Sequence, residues 1–141
     1  MSDEGELQEL HEAWFAASAR RDIKASMAPI ARDVVSYEHS GPLYYAGIEA
    51  VQAVCQQGFD DAIGDLQWSV PDLKVVADGD LAVAWGLNHM LARQNGATTM
   101  DMWSRGTRIF RRIDGRWQMV HQHVSFPFDP ATGKAVLDAT P

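Results

Sequence analysis

The chain has 141 residues, 46% of them hydrophobic, and its 19 acidic and 12 basic residues leave a formal net charge of -7. This length suits one domain with its own core, and the negative charge argues against a nucleic-acid partner because it repels phosphate groups. The single cysteine, Cys55, excludes an intrachain disulfide, and the lack of a long apolar run or a basic leader predicts a cytoplasmic protein with no membrane partner.

Three helices and one strand are predicted in the first half of the chain. Apolar residues recur every three or four positions over residues 5–20, which indicates an amphipathic helix. A shorter helix is expected from Asp22, and Pro29 should end it early. Residues 34–38 are typical of a short strand, and a third helical stripe covers residues 48–59.

Four strands joined as a meander are predicted in the second half. Asp-Gly and Asn-Gly steps separate apolar and β-branched runs, and such steps favour tight turns. The strands that they delimit are Leu66–Val76, Leu81–Arg93, Thr98–Ile113 and Arg116–Phe126. Pro71 cannot donate to a strand ladder, so we expect a bulge or a sheet edge there.

Helices followed by a long meander predict an α+β fold, with the helices packed on one face of a curled antiparallel sheet. We expect one domain over residues 1–141, with its core at about residues 6–127. The tail, residues 128–141, contains prolines and a Thr-Gly step, and we expect it to be weakly ordered.

The last two predicted strands carry the most specific pattern in the chain. From Thr107 to Ser125 it is Thr-Arg-x-(aromatic)-x-Arg-x-Asp-Gly-(basic)-Trp-x-x-Val-His-x-His-x-Ser. This pattern resembles the last hairpin of SnoaL-like proteins, and still more that of the association domain of calmodulin-dependent kinase II. Upstream, Tyr37-Glu38 followed by Gly47 resembles the aromatic-Glu step and the helix-opening glycine of the same family.

The resemblance implies a cone-shaped, cystatin-like fold of the nuclear-transport-factor-2-like superfamily. It also implies a ligand pocket between sheet and helices, and dimers or larger rings. It does not imply one activity, because such folds host isomerases, cyclases, dehydratases and plain binding modules.

Alternation divides the last strand into two faces. The resemblance implies that the face of Gln122 and Val124 lines the pocket. The other face is expected to point outward or to a partner subunit, and it holds Trp117, Met119, His121 and His123. Because this second face is partly apolar, we expect a homodimer formed through the sheet.

Arg108 matches a pocket arginine of the kinase association domain, and a guanidinium binds carboxylates well. The alternative is a salt bridge to a carboxylate such as Glu38. Where the association domain is expected to carry further arginines, this sequence has Leu87 and Val124. The resemblance therefore implies a weaker or more apolar ligand preference.

Glu38 aligns with the catalytic base of ketosteroid isomerases, which implies a proton-transfer role. That family also uses a tyrosine on the first helix and a protonated aspartate on the third long strand. The nearest positions here hold Trp14 and either Thr107 or Arg108, so the steroid isomerase site is incomplete. The alternative for Glu38 is a structural hydrogen bond to a tyrosine or an arginine.

Trp85 and His89 share one face of the second long strand, which the resemblance places towards the pocket. His89 is a candidate second acid or base, although a core histidine is the commoner outcome. Trp14 and Trp85 are candidates for a wall that stacks on a flat ligand, or are ordinary core. A metal site on His121 and His123, completed by His89 or Glu38, lacks an obvious further ligand.

The sequence thus favours a small-molecule-binding SnoaL-like domain with a polar pocket containing Glu38, Arg108 and Gln122. No metal and no cofactor is predicted. The first alternative is a cofactor-independent isomerase, cyclase or dehydratase that uses Glu38 as base. The second is an oligomerisation module.

Overall fold

The computed structural model describes all 141 residues and has an α+β fold. The helices are α1 (Asp3–Ala19), α2 (Ile23–Met27) and α3 (Ile48–Asp61). The strands are β1 (Ile30–Tyr37), β2 (Tyr45–Ala46), β3 (Asp65–Ser69), β4 (Lys74–Asp78), β5 (Leu81–Gln94), β6 (Ala97–Ile113), β7 (Arg116–Ser125), β8 (Phe128–Asp129) and β9 (Lys134–Ala135). None of the helices is long and apolar enough to span a bilayer.

Seven strands form one curled sheet in the order β2-β1-β7-β6-β5-β3, and β4 also pairs with β5. Strands β5, β6 and β7 are the last three of the four strands predicted for the meander. Asn95 and Asp114, with φ of 53° and 51°, begin its two turns, each followed by a glycine with positive φ. Strand β1 runs parallel to β7, and the other pairs are antiparallel. The predicted fold class is confirmed.

The predicted strand Leu66–Val76 is two strands in the structure. Both β3 and β4 pair with β5, and a turn separates them. Pro71 lies in this turn, which is closed by a hydrogen bond from the Leu73 N–H to the Val70 carbonyl at 3.3 Å. Because proline has no N–H to donate, it ends the ladder here instead of forming a bulge within one strand.

A bulge in β7 overturns the strict alternation expected for this strand. The pairing with β6 shifts by one residue at Val120. Because Val120 is an extra residue, the even-numbered residues after it share a face with the odd-numbered residues before it. Trp117 and Met119 are therefore buried together with Gln122 and Val124. The expectation that Trp117 and Met119 face outward, and need a partner subunit to cover them, is wrong.

The helices close the core on the inner face of the sheet. Helix α1 begins after Ser2, whose hydroxyl accepts a hydrogen bond from the Gly5 N–H at 3.0 Å. Its buried face presents Leu7 and Trp14 to the sheet, and α3 adds Val51. Burial of these apolar side chains is the main driving force for the packing of the helices on the sheet.

The first eight residues after Pro127 form a hairpin, although a weakly ordered tail was expected. Strands β8 and β9 pair across a turn, with Gly133 at φ 73°. The Asp129 carboxylate accepts a hydrogen bond from the Ala131 N–H at 2.9 Å, which stabilises the turn locally. The Thr-Gly step is thus a hairpin turn, a signal that prolines on either side obscured.

Arg21 joins the ends of two helices. Its guanidinium donates hydrogen bonds to the carbonyls of Phe59, Ala62 and Gly64 at 3.1, 2.9 and 2.8 Å. These carbonyls lie at the end of α3, where backbone acceptors have no partner within the helix. A charged side chain from the end of α1 therefore caps α3 and holds it beside the sheet.

Arg21→Ala should lower the free energy of unfolding by about 2 kcal/mol, because three carbonyls lose a charged donor. Urea denaturation measures this change. Arg20→Ala is the matched control, since the Arg20 side chain is 62% exposed and lies 4.0 Å from Asp22 only. Its loss should stay below about 0.5 kcal/mol, and equal losses for the two variants would show that the cap contributes nothing.

Candidate functional site

A cavity of about 390 Å³ lies between the inner face of the sheet and the helices. Most of its wall is apolar, including four of the chain's methionines and the side of α3 that carries Val51, Val54, Cys55 and Phe59. The polar side chains that reach it include Glu38, His39, Asn88, Arg108 and Gln122. A mainly apolar cavity with a few convergent polar groups is the usual form of a small-molecule site.

Most of the residues predicted for the site line this cavity, namely Trp14, Glu38, Arg108, Gln122 and Val124. They come from α1, from the chain just after β1, from β6 and from β7. The structure therefore brings them together at one place, and their roles in binding or catalysis stay predictions.

Trp85 and His89 lie on the outer face of the sheet, so their predicted placement in the pocket is wrong. Trp85 is 42% exposed. His89 binds Asp101 through Nε2 at 2.7 Å and stacks on the Trp103 ring at 4.1 Å. Alternation separates the two faces of β5 correctly, but the inner face is that of Asn88.

Arg108 is buried at the cavity wall without a charged partner. It is 1% exposed, and its Nη2 donates to Asn88 Oδ1 at 2.8 Å. Its Nε and Nη1 have no hydrogen-bond partner. Burial lowers the pKa of Arg108 to about 10, and the charge of Glu38 acts in the opposite direction. Arg108 and Glu38 do not form the salt bridge considered as an alternative.

Two indole rings flank the guanidinium of Arg108. The Trp14 and Trp68 ring centres lie 5.5 and 5.2 Å from its central carbon. The two rings also meet edge to face at 4.9 Å. Their electron-rich faces favour a cation, which helps to keep Arg108 charged although it is buried.

Glu38 is held by one of its two oxygens. Its Oε1 accepts hydrogen bonds from the Ser36 hydroxyl at 2.6 Å and from Gln122 Nε2 at 3.0 Å. These donors are neighbours across the β1–β7 pair. The alternative considered for Glu38 was a structural hydrogen bond from a tyrosine or an arginine. Ser36 and Gln122 provide such bonds instead, and both go to Oε1.

A second polar chain runs from Arg108 to His39. Asn88 Nδ2 donates to the Ser104 hydroxyl at 3.0 Å, and Ser104 Oγ lies 2.7 Å from His39 Nε2. Burial, and secondarily the charge of Arg108, lowers the pKa of His39 to about 4. His39 reaches the cavity wall because β1 ends at Tyr37, so strand alternation does not extend to it.

Sequence reasoning missed Trp68, Asn88 and Ser104. The available signal was on β5, where Asn88 lies on the same face as Ala82, Ala84 and Ala92. Small buried residues on one strand face leave room above them, and a lone amide on that face must find partners in the interior.

His121 and His123 lie away from the cavity, as expected. His121 Nδ1 donates to the Val35 carbonyl at 2.6 Å, and the Tyr37 ring packs against both imidazoles at 4.7 and 5.3 Å. No group of three or more His, Cys, Asp or Glu side chains is placed so that it could hold a metal ion. The two imidazoles are thus held by the backbone and by an aromatic ring.

Solved structures that match this fold include proteins described as NTF2-like and as having a cystatin-like fold. The family model for the SnoaL-like domain matches residues 7–129, and the chain belongs to this family. No curated protein gives a significant match.

Solved structures share this fold over nearly the whole chain. An NTF2-like protein of unknown function from Pseudomonas putida KT2440 is 34% identical, with a TM-score of 0.89 over 98% of this chain and 96% of that one. A provisionally named calcium/calmodulin-dependent protein kinase II association domain from Xanthomonas campestris is 22% identical, with a TM-score of 0.72 over 85% and 84%. A provisionally named dehydratase from Streptomyces avermitilis is 16% identical, with a TM-score of 0.75 over 86% and 93%.

Proposed function

We propose that the chain is a small-molecule-binding domain whose ligand is an organic anion with an apolar body. Arg108 carries this proposal, because its buried guanidinium has unpaired N–H groups at Nε and Nη1 in the wall of the cavity. An unpaired buried charge is costly, so a ligand that brings negative charge and acceptor oxygens stabilises the site. A carboxylate has both properties.

The rest of the cavity suits the apolar part of such a ligand. Met27, Met90, Met100 and Met119 line it, together with apolar residues of α3. Methionine side chains are flexible and polarisable, and they adapt to ligands of different shape. Val124 stands where an association domain is expected to carry an additional arginine, which favours a ligand with one anionic group.

Arg108→Ala should weaken the binding of 3-phenylpropanoate, an apolar monocarboxylate, by at least about tenfold, because hydrogen bonds to a charged group contribute about 1.5–3 kcal/mol. Isothermal titration calorimetry measures the affinity, with the neutral 3-phenylpropanamide as the comparison ligand. Arg105→Ala is the matched control, since Arg105 is exposed on the same strand and donates to the Phe126 carbonyl. Equal affinity of the parent for acid and amide would contradict the proposal.

A proton-transfer enzyme is the second candidate function, and Glu38 is the observation that favours it. The carboxylate lines the cavity together with Arg108, and Arg108 can polarise a substrate carbonyl. The structure named as a dehydratase is compatible with this reading. Binding remains the first choice because His89, the expected second acid or base, faces outward.

We also infer a homodimer that forms through the outer face of the sheet. Trp117 and Met119 are buried on the inner face, so the apolar part of the outer face is the region of Trp85 and Leu87, which are 42% and 39% exposed. Exposed apolar patches of this kind mark protein interfaces. The similarity to a structure named as an association domain favours the same conclusion.

Light scattering at micromolar concentration should therefore give twice the mass of the chain. Trp85→Glu combined with Leu87→Glu should shift the protein to a monomer, because two carboxylates would be desolvated in the interface. Leu43→Glu is the control, since Leu43 is 93% exposed in a loop. A monomeric parent would disprove the dimer.

Two further expectations belong to this proposal. Residues 1–141 act as one domain, which is supported by the packing of α1 on the sheet formed by later strands. We also infer that the protein works in the cytoplasm, which its single cysteine favours.

A further inference from the structure

We propose that Asn88 is a positioning residue that reserves the positive charge of Arg108 for a ligand. Asn88 holds the guanidinium through a neutral oxygen, so it orients Arg108 without neutralising it. The inference rests on the proposed anion-binding function and names the residue that makes the cavity selective for anions.

The orientation of the Asn88 amide follows from its partners. One of its terminal atoms lies 2.8 Å from Arg108 Nη2 and 3.2 Å from Trp68 Nε1. Both partners are obligatory donors, so the atom that they share must be the amide oxygen. The amide nitrogen then points to the Ser104 hydroxyl at 3.0 Å, and each end of the side chain has a defined role.

The hydrogen bonds beyond Asn88 agree with this orientation of the amide. Ser104 accepts a hydrogen bond from Asn88, so its single hydroxyl proton is free to go to His39 Nε2, 2.7 Å away. That bond needs an imidazole that is unprotonated at Nε2. Burial favours the neutral form of this histidine, so all members of the chain are compatible with an uncharged residue at position 88.

The backbone beside this pair leaves room for it. Gly106 lies on β6 opposite Gly86, and a Cβ added to Gly106 would lie 2.9 Å from Asn88 Nδ2 and 3.1 Å from Arg108 Nη1. A side chain at this position would push the amide and the guanidinium apart. The glycine thus permits the close approach that orients Arg108.

An aspartate at position 88 would have almost the same shape and would reach the same partners. Its carboxylate would form a buried ion pair with Arg108, and the ligand would then compete with a permanent internal anion. Glu38 is also close enough for its charge to act on Arg108, but it forms no ion pair with it. The difference between amide and carboxylate therefore decides whether the cavity binds an anion.

The test compares the parent, Asn88→Asp and Asn95→Asp. The probes are 3-phenylpropanoate, called the acid, and 3-phenylpropanamide, called the amide. Asn95→Asp makes the same charge change in the exposed turn after β5, far along the strand from Asn88. We expect Asn88→Asp to lower the affinity for the acid by at least about tenfold and to leave the affinity for the amide unchanged. Asn95→Asp should bind both as the parent does.

Two binding results would overturn the inference. The first is an unchanged affinity of Asn88→Asp for the acid. The second is an equal loss for acid and amide, which would indicate a structural role only. If the parent binds no acid, the proposed function fails, and thermal denaturation at pH 7.5 decides the inference separately. A Tm of Asn88→Asp equal to or above that of the parent supports a charge on Arg108 that lacks a counterion, whereas a lower Tm rejects it.

Discussion

Lowering the pH from 6.5 to 4 should remove up to about 3 kcal/mol of folding stability through His11 alone. His11 is 1% exposed, and burial lowers its pKa from 6.5 to about 4, with a smaller contribution from the charge of Arg108. The hydrogen bond from Nδ1 to the Leu7 carbonyl at 2.7 Å acts in the opposite direction.

The sign follows from proton uptake by the unfolded chain. Between pH 6.5 and 4 the unfolded state binds a proton at this histidine, whereas the folded state does not. The free energy of unfolding therefore falls by up to about 1.4 kcal/mol per pH unit in this window, and it is unaffected by His11 above it. His39 shifts in the same direction and adds to the loss.

His11→Leu should flatten this dependence, because it removes the titrating group and keeps an apolar side chain among Trp14, Phe15 and Phe110. Urea denaturation at several pH values measures the slope for parent and variant. His123→Gln is the matched control for the loss of one imidazole, since His123 is exposed. A His11→Leu slope equal to that of the parent would show that His11 is not the group responsible.

Steroid isomerase activity should be at or near background, even though the resemblance places Glu38 at the position of that family's base. The family stabilises the dienolate intermediate with a tyrosine and a protonated aspartate, and removal of one such donor costs about 10²- to 10³-fold in turnover. Of the two β6 residues that the resemblance offers in place of the aspartate, Arg108 lines the cavity and Thr107 is exposed. The resemblance places Trp14 nearest to the tyrosine position.

The replacement changes the chemistry of the site as well as its hydrogen bonds. Arg108 brings a buried guanidinium to the place where the family uses a neutral donor, so the site does not reproduce the family's neutral pair. Ser36 and Gln122 both donate to Oε1 of Glu38, at 2.6 and 3.0 Å, so one oxygen of this carboxylate already holds two donors.

The assay follows the conversion of a β,γ-unsaturated 3-ketosteroid to its conjugated isomer by ultraviolet absorbance. Glu38→Gln has nearly the same shape as the parent residue and cannot act as the base. Turnover well above background in the parent, abolished by this substitution, would refute the prediction and make the enzyme the preferred function.

The sequence by itself determined the three helices, the last three long strands and the family. Asn95-Gly96 and Asp114-Gly115 specify left-handed turns through local backbone preferences, so the meander was predictable without knowledge of the tertiary structure. The helical stripes were predictable for the same reason, since apolar spacing reflects helix geometry. The pattern from Thr107 to Ser125 identified the family, and with it the positions of Glu38 and Arg108.

Only the tertiary structure decided which side of the sheet faces the helices. Alternation divides β5 into two faces, but both carry apolar residues, and packing against α1 and α3 selects that of Asn88 over that of Trp85 and His89. The bulge at Val120 likewise depends on pairing with β6, since an extra residue in one strand is defined only against its partner. Hydrogen bonds among Asn88, Ser104 and His39 join residues distant in sequence, and local preferences contain no information about such contacts.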